Sequence, residues 1–143
     1  MSFILLKNKL KAKLLTVGNI QGVYDYPTEE FDGFPAAVVR TDGNTSEYET
    51  NTENTDMYTF TAFLFQNVEG PIHSIVKARE IIEELCDTIR TSLDTDEFLN
   101  GLSMPTGHTI MGVSPTVSNI FETENGKYVA AEISISIRVS KNI

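Results

Sequence analysis

The feature that most constrains this chain is a strict alternation of apolar and polar residues over positions 129–139. Successive side chains of a β-strand point to opposite faces of a sheet, so a period of two predicts a strand with one buried face and one wet face. A chain with such a strand must build a sheet and cover one side of it. The apolar members of the pattern are Val129, Ala131, Ile133, Ile135, Ile137 and Val139.

The residues before this strand predict its antiparallel partner. The segment around Val113–Thr123 has strand character, and Asn125 and Gly126 follow it. An Asn-Gly pair favours a tight hairpin because both residues tolerate a positive φ. We therefore expect a β-hairpin that ends in the alternating strand.

A further strand is predicted over Met57–Gln66, which is rich in Tyr, Phe and Thr. Both of its faces become apolar toward its end, so it is expected in the centre of the sheet or covered on both sides. Aromatic residues on strands can also stack on nucleic-acid bases. Core packing is the favoured interpretation, because no Lys or Arg is interleaved among the aromatic residues, which are Tyr58, Phe60, Phe63 and Phe65.

Two helices are predicted from apolar residues that recur at three- and four-residue steps. The first spans about residues 2–17, with lysines mostly on its other sides, and it either covers the sheet or binds a partner. The second spans about residues 71–93 and begins at Pro71, which suits the first position of a helix. Its apolar stripe is expected to lie on the sheet and includes Ile75, Val76, Ile82, Leu85, Cys86, Ile89 and Leu93.

These elements define a fold class once a strand at Phe34–Arg40 is added. The predicted order is α-β-β-α-β-β, and hairpins imply a mainly antiparallel sheet with helices packed on one face. The length of 143 residues is that of one domain. We therefore predict a single α+β domain over residues 1–143.

Residues 42–56 hold five acids, no base and almost no apolar residue. Such a composition cannot bury enough surface to offset the entropy of ordering, so a projecting, mobile loop is predicted. A long loop in a compact domain is usually functional, although a solvated loop with no role is the alternative. The candidate interaction residues are these acids and the lysines of the first helix, which could pair with them: Asp42, Glu47, Glu49, Glu53, Asp56, Lys7, Lys9, Lys11 and Lys13.

The charge and the apolar runs of the chain bear on its partners and its compartment. Its formal charge of −9 argues against a direct grip on DNA or RNA, which needs clustered cations to release counterions. The apolar start Phe3–Leu6 precedes the lysines, which is the wrong order for a signal peptide. No apolar run approaches the ~20 residues of a membrane helix. We expect a protein that is made and kept in a cytoplasm.

The residues that usually carry catalysis are sparse. His73 and His108 are the only histidines, and Cys86, the only cysteine, lies on the apolar stripe of the second helix. Zinc needs several Cys or His ligands, and the segment Asp94–Glu97 lacks the glycine and the distal Glu of a calcium loop. No Gly-x-Ser-x-Gly elbow and no phosphate-binding glycine loop is present. We predict no catalytic, cofactor or metal site and no enzymatic activity.

The order of segments resembles a known family. The run Phe34-Pro-Ala-Ala-Val-Val is followed by a polar acidic stretch and then by Asn54-Thr-Asp-Met-Tyr-Thr-Phe-Thr-Ala-Phe-Leu-Phe. A long helix and a closing hairpin come next. From the N-terminal helix to Val139, this arrangement is similar to that of the tail terminator, or tail completion, proteins of long-tailed bacteriophages.

The resemblance implies a structural role in the virion. Members of the family form a ring, typically a hexamer, that caps the tail tube, stops its polymerisation and joins it to the head-tail connector. The implied partners are copies of the chain itself, the tail tube protein and the connector protein, with no membrane involved. DNA would pass through the ring without specific binding, and an acidic channel wall would let it slide. The implied location is the tail neck of the virion, assembled in the host cytoplasm.

Two other classes of function remain open at this point. One is another phage neck or tail component, such as a stopper or a head-tail adaptor, with similar size and ring geometry. The other is a small α+β enzyme or ligand-binding domain. An enzyme is expected to show a pocket with titrating groups of perturbed pKa. A ring subunit is expected to show flat complementary interfaces instead.

Overall fold

The computed structural model describes residues 3–26, 28, 31–48, 53–68, 74–94, 108–123 and 126–142. Two helices and five strands occupy these segments. They are α1 (Phe3–Leu15), β1 (Gly22–Tyr24), β2 (Ala36–Tyr48), β3 (Glu53–Asn67), α2 (Ile75–Asp94), β4 (His108–Glu122) and β5 (Tyr128–Asn142).

The strands form one sheet in the order β1-β2-β3-β5-β4. Only the short β1 runs parallel to its neighbour β2; the other three pairings are antiparallel. The α+β class and the mainly antiparallel sheet are therefore confirmed, and β1 is an addition to the predicted order. The predicted hairpin is also present: Gly126 has a φ of +69° and its N–H donates to the carbonyl of Thr123.

One face of the sheet, here called the inner face, carries the core. The apolar side chains of the alternating strand β5 are fully buried there, and Phe60, Ala62 and Leu64 of β3 lie beside them. Leu6, Leu10 and Leu14 of α1 pack on the same core as α2. Both helices therefore cover one face, as the periodicity predicts.

The helix α2 departs from its predicted stripe at its beginning. Ile82, Leu85, Cys86, Ile89 and Leu93 are buried as predicted. Ile75 and Val76 are 41% and 68% exposed, and Ala78 takes the buried position in that turn instead. The helix is described from residue 75, and 71–73 lie outside the described residues. Neither α1 nor α2, the helices of the described chain, is long and apolar enough to cross a membrane.

The prediction of a loop over residues 42–56 is wrong for most of that segment. Residues 42–48 belong to β2 and residues 53–56 to β3, and the two strands pair as far as Tyr48 with Asn54. Strand β3 is also paired along this stretch with β5, down to Glu53 with Asn142. Ladder hydrogen bonds on both sides of β3 offset the poor strand propensity of this polar sequence. Residues 49–52, including Glu49, lie outside the described residues.

The end of α1 approaches α2 closely at a glycine. Gly18 follows α1 with a φ of +56°, a left-handed conformation that ends many helices and that favours glycine. A Cβ at this position would lie 2.9 Å from Cδ1 of Leu85 on α2. The position therefore needs glycine both for its backbone and for the close approach of α2.

Truncating a side chain should cost much more stability on the inner face of β5 than on its opposite face. Ile133→Ala removes a fully buried side chain and should lower the free energy of unfolding by about 2–5 kcal/mol. Ser134→Ala, one residue along on the half-buried opposite face, should change it by less than about 0.5 kcal/mol. Urea unfolding followed by circular dichroism measures both, and equal losses would contradict the assignment of faces.

Candidate functional site

The face of the sheet opposite the helices, here called the open face, carries two rows of hydroxyl side chains. Strand register places Thr61, Ser134 and Thr116 in one row across β3, β5 and β4, and Thr59, Ser136 and Ser114 in the next. Ser114 and Thr116 on the outer strand are exposed. Within the described residues, no helix packs on this face. Thr59, Ser134 and Ser136 are half-buried and Thr61 is buried, so the centre of this face is polar and uncharged and is most exposed to water at β4.

Aromatic side chains cover one end of the open face. The ring of Phe31 stacks on that of Phe65, with centroids 5.1 Å apart, and meets Tyr128 edge-on at 5.9 Å. Phe34 lies 5.6 Å from Tyr128, and Tyr24 lies 5.5 Å from Phe31. Together with Tyr26, which contacts Tyr24, these residues are called the aromatic cluster. The cluster holds the chain between β1 and β2 against the sheet.

A groove of about 740 Å³ opens beside the aromatic cluster, where the short β1 ends and leaves the edge of β2 uncovered. It is called the edge groove. Its walls come from α1, from the chain after β1, from β2 and β3, and from the β4–β5 hairpin. The lining residues are Lys7, Asp25, Tyr26, Thr28, Phe31, Val38, Val39, Arg40, Thr41, Phe63, Phe65, Thr123 and Tyr128.

Arg40 is the polar centre of this region. Its Nε donates to Oδ1 of Asp42 at 2.7 Å, and the hydroxyl of Thr61 donates to Oδ2 of the same carboxylate. The guanidinium also lies over the ring of Phe63, 5.0 Å from its centroid. A cation held by a carboxylate and an aromatic ring is fixed in direction, yet its side chain remains 60% exposed. It can still donate hydrogen bonds to a carbonyl or carboxylate in the groove.

A second ion pair closes the groove on the side of α1. Nζ of Lys11 donates to Oδ2 of Asp25 at 3.1 Å, with both side chains about one third exposed. This hydrogen bond and the charge of Lys11 lower the pKa of Asp25, and the charge of Lys7 acts in the same direction. The shift arises from an ordinary surface ion pair, which does not point to proton transfer.

The predicted interaction residues do not form one cluster. Asp42 lies in the Arg40 network, while Asp56 is only 2% exposed and its register places it on the inner face with Val139. Glu47 and Glu53 lie on paired strands. Of the predicted cations, Lys7 lines the edge groove and Lys11 pairs with Asp25, which is not among the predicted partners. Lys9 and Lys13 lie elsewhere on α1, half-buried.

Cys86, also considered for chemistry, is not among the residues that line the groove. Cys86 is buried as predicted, and burial raises the pKa of its thiol to about 11, with Asp87 and Glu83 adding to the effect. At neutral pH such a thiol is ionised in roughly one molecule in ten thousand, too few for a nucleophile. His108 begins β4, and His73 lies outside the described residues. Among the side chains that the structure places, no three His, Cys, Asp or Glu residues lie close enough to hold a metal ion.

The aromatic cluster is not among the predicted sites, although four aromatic residues fall within positions 24–34. That density was the available signal. Phe63 and Phe65 were expected in the core, whereas the aromatic residues of that strand that lie in it are Tyr58 and Phe60. Phe63 and Phe65 are half-buried on the open face.

Comparison with known protein families and with curated proteins finds no match to this sequence.

The pair Lys11–Asp25 gives a pH-dependent prediction. Lys11→Met should raise the pKa of Asp25, measured by NMR titration of the carboxyl carbon, while Lys77→Met on exposed α2 should leave it unchanged. Because the folded-state pKa of Asp25 is lowered, the stabilisation by Lys11 is present above the unfolded-state pKa. It should disappear as the pH falls through the folded-state pKa. A pKa of Asp25 that is the same in both variants would contradict the pairing.

Proposed function

We propose that this chain is a structural virion protein, the tail terminator of a long-tailed bacteriophage. In this role it forms a ring that caps the tail tube, stops its growth and joins the tail to the head-tail connector. The observation that carries the proposal is the two-sided sheet. One face is sealed by two helices, and the other is open and lined by hydroxyl groups. The resemblance of the segment order to the terminator family supports the same role.

The open face has the properties that a channel wall for DNA needs. DNA binds strongly where clustered Lys and Arg release its counterions. The hydroxyl rows offer no such cluster, and the cation beside them, Arg40, is neutralised by Asp42. Arg138 and Glu132 lie two strand positions on either side of Ser134–Ser136 and also balance in charge. Together with the chain's charge of −9, this surface would let DNA slide past without gripping it.

The sealed face would then form the outer body of the ring. Fifteen-residue strands and two packed helices give a rigid unit, and a ring that stops tube growth must keep its shape at the tube end. Of the lysines of α1, Lys7 lines the edge groove and Lys11 pairs with Asp25. In the ring these lysines would lie outside the acidic channel or between subunits.

The edge groove favours one alternative, a small ligand-binding domain. Its volume is in the range of small-molecule sites, and its walls are mainly apolar with few charged groups. The titrating group in it with a shifted pKa is Asp25, whose shift comes from a surface lysine. The groove therefore supports binding rather than catalysis, and its position along an uncovered strand suits a peptide segment as well as a small molecule.

A nonsense codon in this gene tests the terminator role in the phage that carries it. Without a terminator the tube should keep growing and should not attach to heads. Electron microscopy of lysates should show tails of irregular excess length beside tailless, DNA-filled heads. A plasmid copy of the wild-type gene should restore tails of normal length and infectious particles. Joined tails of normal length in the uncomplemented mutant would overturn the proposal, and the ligand-binding alternative would then take its place.

A further inference from the structure

We propose that copies of this chain join edge to edge, with β4 of one copy adding as an antiparallel strand to the uncovered edge of β2 in the next. The proposal builds on the ring-subunit role above and names the two surfaces that meet. It rests on four features of the sheet: an edge of β2 and an edge of β4 that no other described segment covers, the directions of these strands, and their charges.

The edge of β2 is uncovered along most of its length. Strand β1 pairs only with residues 36–38, so residues 39–48 have no neighbour on that side within the described chain. The edge groove opens at this point, lined by Val39, Arg40 and Thr41. Unpaired N–H and C=O groups of an edge strand are a template for an incoming strand. The groove gives such a strand room beside β2.

The edge of β4 is the opposite border of the sheet. Its inner-face side chains Val113, Val117 and Ile120 are only half-buried, whereas the neighbouring apolar side chains of β5 are fully buried. The helices therefore leave the apolar margin of the sheet incompletely covered. A strand from a second copy would bury this margin if it lay beside β4 and if the inner faces of the two sheets were continuous.

The strand directions fit a head-to-tail repeat. Strands β2, β3, β5 and β4 alternate in direction across the sheet, because each pairs antiparallel with the next. Strand β4 therefore runs opposite to β2. Two copies in the same orientation, placed side by side, bring β4 against β2 in the antiparallel sense without a break in the alternation. Each copy uses two different edges, which is the heterologous contact that closes into rings.

The strands with irregular pairing, β2 and β4, are the two that would meet in the proposed interface. Pairing of β3 with β5 is regular throughout, whereas β2 shifts register between Thr41 and Gly43, and β4 shifts near Met111 and Ser118. Bulges bend and twist a strand, and curvature is what a sheet needs to close. Pro115 in β4 removes one donor, which suits an edge strand and restricts the registers that an incoming strand can adopt.

Charge favours a second copy as the occupant. A chain of charge −9 repels its own copies over most of its surface. From Val113 to Phe121, however, β4 carries no charged residue, so this edge adds no repulsion. The groove on β2 offers the cations Arg40 and Lys7, and the exposed acid Glu122 ends β4. In an antiparallel joint Glu122 would approach Lys7 and Arg40, while the acids of β2, Asp42 and Glu47, would face the uncharged stretch of β4.

The ring of six copies that the family resemblance implies would have a definite size. Six copies with four long strands each would give about 24 strands. Strands spaced ~4.8 Å apart and tilted by ~40° then enclose a barrel roughly 50 Å across between backbones. The open face and its hydroxyl rows would line the inside of this barrel.

Two edge-blocking variants test the proposal. Val117→Lys places an ammonium group at the inner margin of β4, and Thr41→Lys does the same at the edge of β2. In the free chain each lysine can extend into water, but in the joint it would be buried. Thr91→Lys, on the exposed side of α2, adds the same charge away from both edges. Val113→Lys, on the same inner margin of β4, replaces Val117→Lys if circular dichroism shows that variant to be unfolded.

Light scattering over a concentration series should show large assemblies for the wild-type chain and for Thr91→Lys. Each edge variant alone should stay monomeric at 15.9 kDa. An equimolar mixture of the two should form a dimer and nothing larger, because each pair combines one intact β2 edge with one intact β4 edge. No isologous interface gives this pattern.

Three results would overturn the proposal: assembly of either folded edge variant like the wild type, a mixture of folded variants that stays monomeric, or a wild-type chain that is monomeric throughout the series. The last result leaves the terminator role standing, since a tube end could still template a ring through other contacts. Tails of normal length in the nonsense mutant would remove the terminator role but not the edge pairing. The two failures are therefore distinguishable.

Discussion

The rest of this structure depends on β5 having one buried face and one face in contact with water. Its inner side chains are fully buried under the helices, while Ser134 and Ser136 between them remain in contact with water. Because β5 is paired along its whole length with β3 on one side and β4 on the other, it fixes the register of both neighbours. A shift of one residue in β5 would turn its isoleucines to the open face. The identity of each face therefore follows from this strand.

This division assigns separate tasks to separate surfaces. The inner face and the helices hold the fold together, which leaves the open face and the two outer strands available for contacts with other molecules. The open face suits a water-filled channel, and the outer strands suit pairing with further copies. Between these surfaces, the aromatic cluster and the Arg40–Asp42 pair shape the groove at the edge of β2. A ring at the end of a phage tail would use all three.

Periodic patterns in the sequence predicted the fold well, and composition predicted it poorly. The period of two in β5 and the helical period in α1 and α2 report burial directly, so the sheet, the helices and their shared face could be inferred. Residues 42–48 were predicted as a loop because their composition disfavours burial. They can nevertheless form a strand, because a strand whose backbone is paired along its length needs only one buried neighbouring strand. Ile75 and Val76 fit the apolar stripe but are exposed, because α2 meets the sheet only from Ala78 onward. The edge groove depends on Phe31 folding back onto Phe65, a contact between segments that no local pattern encodes.

The central claim is that the inner face folds the chain while the edges of the sheet join copies of it. Hydrogen–deuterium exchange on the wild-type chain, compared between dilute and concentrated solution, tests this claim most directly. The account predicts that amides of β2 from residue 39 to 48 and of β4 exchange more slowly when the chain is concentrated. Amides of β3, β5 and α2, which are already bonded within one copy, should keep their rates. Slowing confined to the helices, or no slowing at either edge, would contradict the account.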